Sequence, residues 1–274
     1  MNNIHPTAII DSKANIAENV LIGAYSIIGA NVTIETGTIV KSHVVIEGRT
    51  IIGKNNIIFP FTSIGLTPQD LKFKGEDSSL VIGDNNQIRE HCTIHRGTKD
   101  GAMTTKIGDN CLFMVGSHIA HDCIIGNEVI LANNATLAGH VEVDDQAIIG
   151  GLSAVRQFVR IGKGAMVGGM SGVESDVIPF GTVFGERASL NGLNIVGMKR
   201  KSISREEIHQ ARHFFEELFH NDKENFLAKI ELANNNYNGY VVKEIINFVK
   251  SQQSSLAFCK PKKQLYSKSA DPTI

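Results

Sequence analysis

From Ile4 onward an aliphatic residue recurs at every sixth position: Ile10, Ile16, Ile22, Ile28, Ile34, Val40, Ile46, Ile52, Ile58 and Ile64. The frame lapses, returns at Ile82, Ile88 and Ile94, and lapses again. It then runs unbroken from Ile107 through Phe113, Ile119, Ile125, Leu131, Leu137, Val143, Ile149, Val155, Ile161 and Val167 to Val173. A sustained period of six fits neither the ~3.6-residue period of a helix nor the simple alternation of a half-buried strand. It does fit a solenoid in which each hexad is one short strand and one turn, and three hexads close a triangular coil. Its fold class is then an all-β solenoid, a parallel β-helix with the aliphatic column stacked inside. At roughly 4.8 Å per coil, about nine coils give a prism roughly 40 Å long. Gly follows the inward residue at Gly23, Gly53, Gly108, Gly126 and Gly150, among others, and suits corners where backbones approach closely or φ is positive.

The two lapses carry information of their own. Frame positions 70 and 76 hold Asp and Glu, and an unpaired carboxylate cannot sit in an aliphatic column. The stretch near 65–81 is therefore expected to leave the prism as a loop. The second lapse, near 95–106, is rich in Gly and Thr and shifts the frame by one residue, so it too is read as a protruding loop. Loops on a rigid scaffold are common sites of function. Beyond about Phe180 the period disappears. Ser204 with Glu207 reads as a capping box, and Ile208, Ala211, Phe215 and Leu218 follow at helical spacing. Further helices are expected over 222–233 and 239–251. The expected organisation is a prism over 1–190 and a helical domain over 191–274, ending in a frayed basic tail.

Composition narrows the function classes. A net charge of -1 gives no general attraction to nucleic acid or to an anionic membrane. Cys92, Cys111, Cys123 and Cys259 form no CxxC pair, which argues against a zinc knuckle or a disulfide framework and suits a reducing compartment. The N-terminus lacks the features of a secretion signal, and no apolar run reaches the ~18 residues of a membrane helix. A cytoplasmic protein is expected.

Coil arithmetic then predicts neighbours. His121, Gly139 and Gln157 should stack on successive coils, with Asp122, His140 and Phe158 in the adjacent column. A His beside an Asp, with a Gly backbone and a Gln above, offers a general base, an oxyanion donor and a polar binding group. On this reading alone a His-Asp dipeptide on a polar surface is most often a solvated pair. His118 and His121 could be metal ligands, but no third ligand is evident, and no metal is expected. His209, His213 and His220 read as surface residues of the helices.

The segments QDLK (69–72), TIHRGT (93–98), HIAHDC (118–123), LANNATLAGHV (131–141), GGMSGV (168–173) and NIVGMKRKSISRE (194–206) resemble the acyl-carrier-protein-dependent UDP-N-acetylglucosamine O-acyltransferases of lipid A synthesis. The resemblance runs in order over nearly the whole chain and implies a left-handed coil. It implies an acyltransferase that moves a 3-hydroxyacyl group from acyl carrier protein to the 3-hydroxyl of UDP-N-acetylglucosamine. His121 is then the general base, Asp122 its orienting partner, and the Gly139 amide the oxyanion donor. Strand geometry on its own would part the Asp122 and His121 side chains, because adjacent residues on a strand point apart. Asp70, Lys72, His95, His118 and His140 would bind the sugar and diphosphate side, and Gln157, Asn194 and Arg200 the nucleotide. Gly169 resembles the position that sets acyl length, where Gly implies a longer chain. The resemblance further implies a homotrimer with sites between prisms. The only co-substrate group it implies is the phosphopantetheine thioester of acyl carrier protein, with no separate cofactor.

Two positions depart from the family pattern: Arg156 stands where a His is usual, and Val196 where the family can carry a polar contact. These leave open whether the acceptor is the ordinary sugar or its 3-amino analogue. The pathway's N-acylating enzyme normally carries an extra N-terminal domain, for which hexads starting at Ile4 leave no room. A non-catalytic solenoid binding module is the alternative from a different class.

Overall fold

A computed structural model of the chain describes residues 3–220, 226–251 and 257–262. Short strands, most of them two residues long, wind into three parallel walls that form a left-handed β-helix. One wall contains eleven strands, from Asn3–Ile4 to Ser189–Leu193. A second contains nine, from Ile9–Ile10 to Gly172–Val173, and the third eight, from Asn15–Ile16 to Arg160–Ile161. The register repeats the coil spacing expected from the hexads: Asn3 pairs with Leu21 and His118 with Thr136. The frame residues are the core, fully buried from Ile22 to Val173. Each contributes about 1.5–3 kcal/mol relative to exposure. Only at the open N-terminal end, at Ile4, Ile10 and Ile16, does the column lose cover.

The corners divide labour differently from the sequence reading. At most corners positive φ falls on the third residue after the inward aliphatic, as at Asp122, Glu128, Asn134, His140 and Gln146, which puts that residue in the left-handed region. The glycine that directly follows the aliphatic answers mostly to crowding. A Cβ on Gly150 would lie 2.5 Å from the Gly169 nitrogen of the next coil.

Both lapses leave the prism as expected, although strands reach further into them than the sequence suggested. Strand Ser63–Leu66 precedes the first excursion and strand Ser79–Ile82 follows it; Thr93–His95 and Thr104–Ile107 flank the second. Leu80 and Thr105 are buried and re-enter the ladder, so the excursions proper span only 67–78 and 96–103. In each case the chain leaves the nine-stranded wall and rejoins the eight-stranded one. Both loops therefore emerge from the same edge of the prism, on successive coils. The next coil turns that edge at His121 and Asp122, between strands His118–Ile119 and Ile124–Ile125.

At the other end, strand Gly181–Phe184 pairs in parallel with Met166–Val167 and antiparallel with Ser189–Leu193. This hairpin covers an edge that would otherwise template further pairing. Four helices follow: α1 (Ile195–Arg200), α2 (Arg205–His220), α3 (Phe226–Asn236) and α4 (Tyr240–Lys250). Helix α1 was not anticipated. Ser204 caps α2 by accepting from the Glu207 amide at 3.2 Å, but the capping box is only half made. The Glu207 carboxylate instead accepts from the Val241 amide at the start of α4. Ile208, Ala211, Phe215 and Leu218 are buried as expected, and His209 and His213 are exposed. The side chain of His220, the start of the helix expected from 222 and the tail beyond 262 lie outside the described residues. Buried Asp176 binds the Arg160 guanidinium at 2.9 Å, and Arg160 also reaches the Phe248 carbonyl and Ser251, fastening α4 to the prism. The four cysteines are buried and free.

Candidate active site

The edge from which both excursions emerge gathers most of the chemistry. His121, Gly139 and Gln157 stack there on successive coils, with Asp122, His140 and Phe158 beside them. The His140 amide donates to the His121 carbonyl at 3.0 Å and the Phe158 amide to the Gly139 carbonyl at 3.2 Å. The His121 and His140 rings meet edge to face at 5.1 Å, and His140 stacks on Phe158 at 4.5 Å.

His121 and Asp122 pair directly. His121 Nδ1 lies 2.9 Å from Asp122 Oδ2. Strand geometry would part these side chains, but both residues lie in the corner turn, and the φ of +58° at Asp122 swings its side chain back to its neighbour. The carboxylate also accepts from the Thr98 amide at 3.1 and 3.0 Å and from the Thr98 hydroxyl at 2.6 Å, while the Asp122 amide donates to Thr105 Oγ1 at 2.8 Å. Burial raises the Asp122 pKa, but hydrogen bonds from His121 and Thr98 outweigh it and hold the carboxyl below its ordinary range. An ionised carboxylate can only accept, so His121 Nδ1 carries a proton and, in the neutral ring, Nε2 holds the free lone pair. Nε2 faces the Gly139 backbone: a Cβ there would sit 2.7 Å from it. Among the described residues the Gly139 amide donates to no protein group.

The excursions close over this edge. Lys72 of the first forms an ion pair with Asp100 of the second at 3.3 Å, and the Lys99 amide donates to Glu76 at 3.1 Å. Burial lowers the pKa of His140, partly offset by the negative charges of Asp122, Asp70 and Asp100, so Asp70 belongs to the same electrostatic neighbourhood. His118 bonds Thr93 Oγ1 through Nδ1 at 2.7 Å, and its ring meets that of buried His95 edge to face at 5.2 Å. Burial lowers both their pKa values, that of His95 to about 4, with nearby His121 adding to the effect. Beside Asp122 and His140 runs a cavity of about 460 Å³, lined also by Ala102, Ile124, Phe158 and Ser251.

Three expected site residues lie elsewhere on the chain. Asn194 and Arg200 line a separate cavity of about 470 Å³ against the eleven-stranded wall. The Asn194 side chain is occupied there, capping α1 through the Gly197 amide and donating to the Gly164 carbonyl. Gly169 sits on the edge between the eleven- and nine-stranded walls. One chain therefore does not gather all the expected residues. No grouping joins His118 to His121 among the described residues; the ligand atoms that do lie together, within 4.8 Å of one another, are those of His121, Asp122 and His140. A cation there would compete with the Thr98 and His121 hydrogen bonds to Asp122. Thr98, Thr105 and Asp100 were missed by the sequence reading. The available signal was that both lapses interrupt the frame on one edge, one and two coils before the His-Asp corner.

Proteins of one enzyme family share this fold and sequence. Residues 13–48 and 104–139 match the bacterial transferase hexapeptide model, and residues 176–257 match domain 2 of UDP-N-acetylglucosamine O-acyltransferase. The chain is 50% identical over 258 residues to an acyl-[acyl-carrier-protein]–UDP-N-acetylglucosamine O-acyltransferase of Aliarcobacter butzleri, covering 94% of this chain and 99% of that one. A crystal structure of a UDP-N-acetylglucosamine acyltransferase superimposes with a TM-score of 0.90 at 42% identity, covering 95% and 99% of the two chains. The Campylobacter jejuni UDP-N-acetylglucosamine acyltransferase gives 0.89 at 36% identity, covering 95% and 100%.

Proposed function

This chain belongs to the acyl-[acyl-carrier-protein]–UDP-N-acetylglucosamine O-acyltransferase family, and we propose that His121 is the general base of that family's acyl transfer. The enzyme moves an acyl group from acyl carrier protein to UDP-N-acetylglucosamine in lipid A synthesis. The relatives' names favour this over N-acylation of the 3-amino sugar and over a non-catalytic module. His121 Nε2 takes the proton of the sugar 3-hydroxyl as that oxygen bonds to the thioester carbonyl carbon. The tetrahedral oxyanion accepts from the Gly139 amide. The C–S bond then breaks, and the proton passes to the departing pantetheine sulfur. An alcohol needs a base and the thioester is already activated, so the reading calls for no metal and no further cofactor. The observation that carries it is the Asp122 carboxylate on Nδ1, which leaves Nε2 free beside the Gly139 backbone.

Asp70, Lys72, His95, His118 and His140 hold the sugar and diphosphate in this reading, and Gln157, Asn194 and Arg200 the nucleotide. Gly169 bounds the acyl groove. A Cβ there would meet only the Gly151 carbonyl at 3.3 Å and its amide at 3.9 Å, so a larger side chain would project off the prism edge. The spread of these residues beyond any one edge supports a homotrimer, in which one prism's His121 edge faces another's Gly169 edge. So does a row of exposed apolar side chains on the Gly169 edge, Tyr25, Phe61, Leu152 and Met170. No helix among the described residues is long and apolar enough to cross a membrane, and the proposed setting is the cytoplasm.

The test follows transfer from a 3-hydroxyacyl-acyl carrier protein to UDP-N-acetylglucosamine for wild type and His121→Ala. Turnover by wild type, with loss of about 10³-fold or more in a folded variant, is the expected result. A variant that retains wild-type kcat removes His121 from the role of base.

A further inference from the structure

The second excursion, residues 96–103, is an expensive feature for a solenoid. Apart from the first excursion, the other hexads from Ile4 to Val173 turn their corners without inserted residues, and every inserted residue that is ordered loses backbone entropy. Its contacts converge on one group. The Thr98 amide donates to both oxygens of Asp122, and the Thr98 hydroxyl donates to Oδ2 at 2.6 Å, the same oxygen that receives His121 Nδ1. Thr98 is 1% exposed and Asp122 4%. The loop comes so close that a Cβ on Gly101 would lie 2.2 Å from Asp122 Cγ and one on Gly97 2.8 Å from Oδ1. Both glycines are needed for the segment to lie flat on the carboxylate.

We propose that Thr98 is a positioning residue for the acyl transfer: its amide and hydroxyl lock the Asp122 carboxylate in the orientation that fixes the His121 ring over Gly139. The inference rests on the reading of His121 as the base and extends the machinery to a residue that touches no substrate. The hydroxyl is what the role needs. The hydroxyl's hydrogen bond to the ionised carboxylate is charge-assisted, and without it the Thr98 amide and His121 still fill three of the carboxylate's acceptor sites. The hydroxyl bond does restrict rotation of the carboxylate about its Cβ–Cγ bond. Without it Oδ2 can turn away, and the imidazole, held on one side only by Nδ1, leaves the attack geometry. A displacement of about 1 Å is enough to cost on the order of 100-fold in rate. The same loop carries Asp100, the partner of Lys72, so the segment that orients the base also touches the loop proposed to hold the acceptor.

Thr98→Val keeps the shape and removes the hydroxyl; Thr98→Ser keeps the hydroxyl. Steady-state kinetics of both, with thermal unfolding and crystal structures, separate the outcomes. The expected result is a kcat for Thr98→Val lower by about 10- to 100-fold, with KM for both substrates and the unfolding midpoint close to wild type. Thr98→Ser should restore kcat to within a few-fold. The Thr98→Val crystal structure should show the Asp122 carboxylate rotated away from His121 Nδ1. Wild-type kcat in Thr98→Val, a serine variant no better than valine, or a loss that follows the midpoint or KM would each overturn the role. An unmoved His121–Asp122 pair in that crystal structure overturns it too, whatever reaction the enzyme performs. Failure of wild type to acylate UDP-N-acetylglucosamine would count instead against the proposed function.

Discussion

His121 Nδ1 and Asp122 Oδ2 lie 2.9 Å apart although the residues are consecutive in the chain. The contact exists because Asp122 occupies the left-handed position of a corner turn, with φ at +58°. In a strand the same dipeptide would place its side chains on opposite faces. Asp122→Asn should therefore preserve the coil but lose the charge that selects the productive tautomer. We expect kcat to fall by about 10³- to 10⁴-fold, as for an orienting carboxylate in other triads, with the unfolding midpoint little changed. Steady-state kinetics and circular dichroism on the same preparation check it.

Gly139 permits the stacking of this site. A Cβ there would lie 2.6 Å from His121 Cε1, far inside van der Waals contact. Gly139→Ala should push the imidazole outward and reduce kcat by about 100-fold, while the neighbouring coils keep their register. A crystal structure of the variant should show the ring displaced from its wild-type position.

Lys72 and Asp100 form an exposed ion pair between the two excursions. Such pairs contribute about 0–1 kcal/mol to stability. Lys72→Ala should leave thermal unfolding almost unchanged. If Lys72 holds the acceptor's diphosphate, KM for the nucleotide sugar should rise about tenfold or more, equivalent to roughly 1.4 kcal/mol. Initial rates over a range of acceptor concentrations decide between a binding role and a purely structural one.

Burial lowers the His95 pKa from the ordinary 6.5 to about 4. Between those values the unfolded chain binds a proton that the folded chain does not, so stability is full above pH 6.5 and is lost as pH falls toward about 4. Burial lowers the pKa of His118 and His140 as well, which adds to the same slope. Urea unfolding at pH 7.5, 6 and 5 should show a falling midpoint, with a shallower fall in His95→Gln. An identical slope in that variant would remove His95 as a contributor.

The hexad frame made most of the fold readable. Ile107 through Val173 specify inward positions without a break, and a period-six column has one compact solution. Counting by coil also put His121, Gly139 and Gln157 in one column, and Asp122, His140 and Phe158 in the next. Other features were not readable. The half-made capping box at Ser204 depended on α4, whose Val241 amide takes the Glu207 carboxylate. Helix α1 is a single short element held by the Asn194 cap, too brief for periodicity to register.

The sequence by itself determined the solenoid, its coil register, the two excursions and the column that bears the base, because these follow from a repeat whose inward residues must be apolar at every turn. The tertiary structure alone decided that Thr98 reaches Asp122, that Lys72 meets Asp100, and that Asn194 and Arg200 lie away from the His121 edge. Those relationships depend on left-handed corner torsions and on hydrogen bonds between loops about 25 residues apart, and no local propensity or period encodes either.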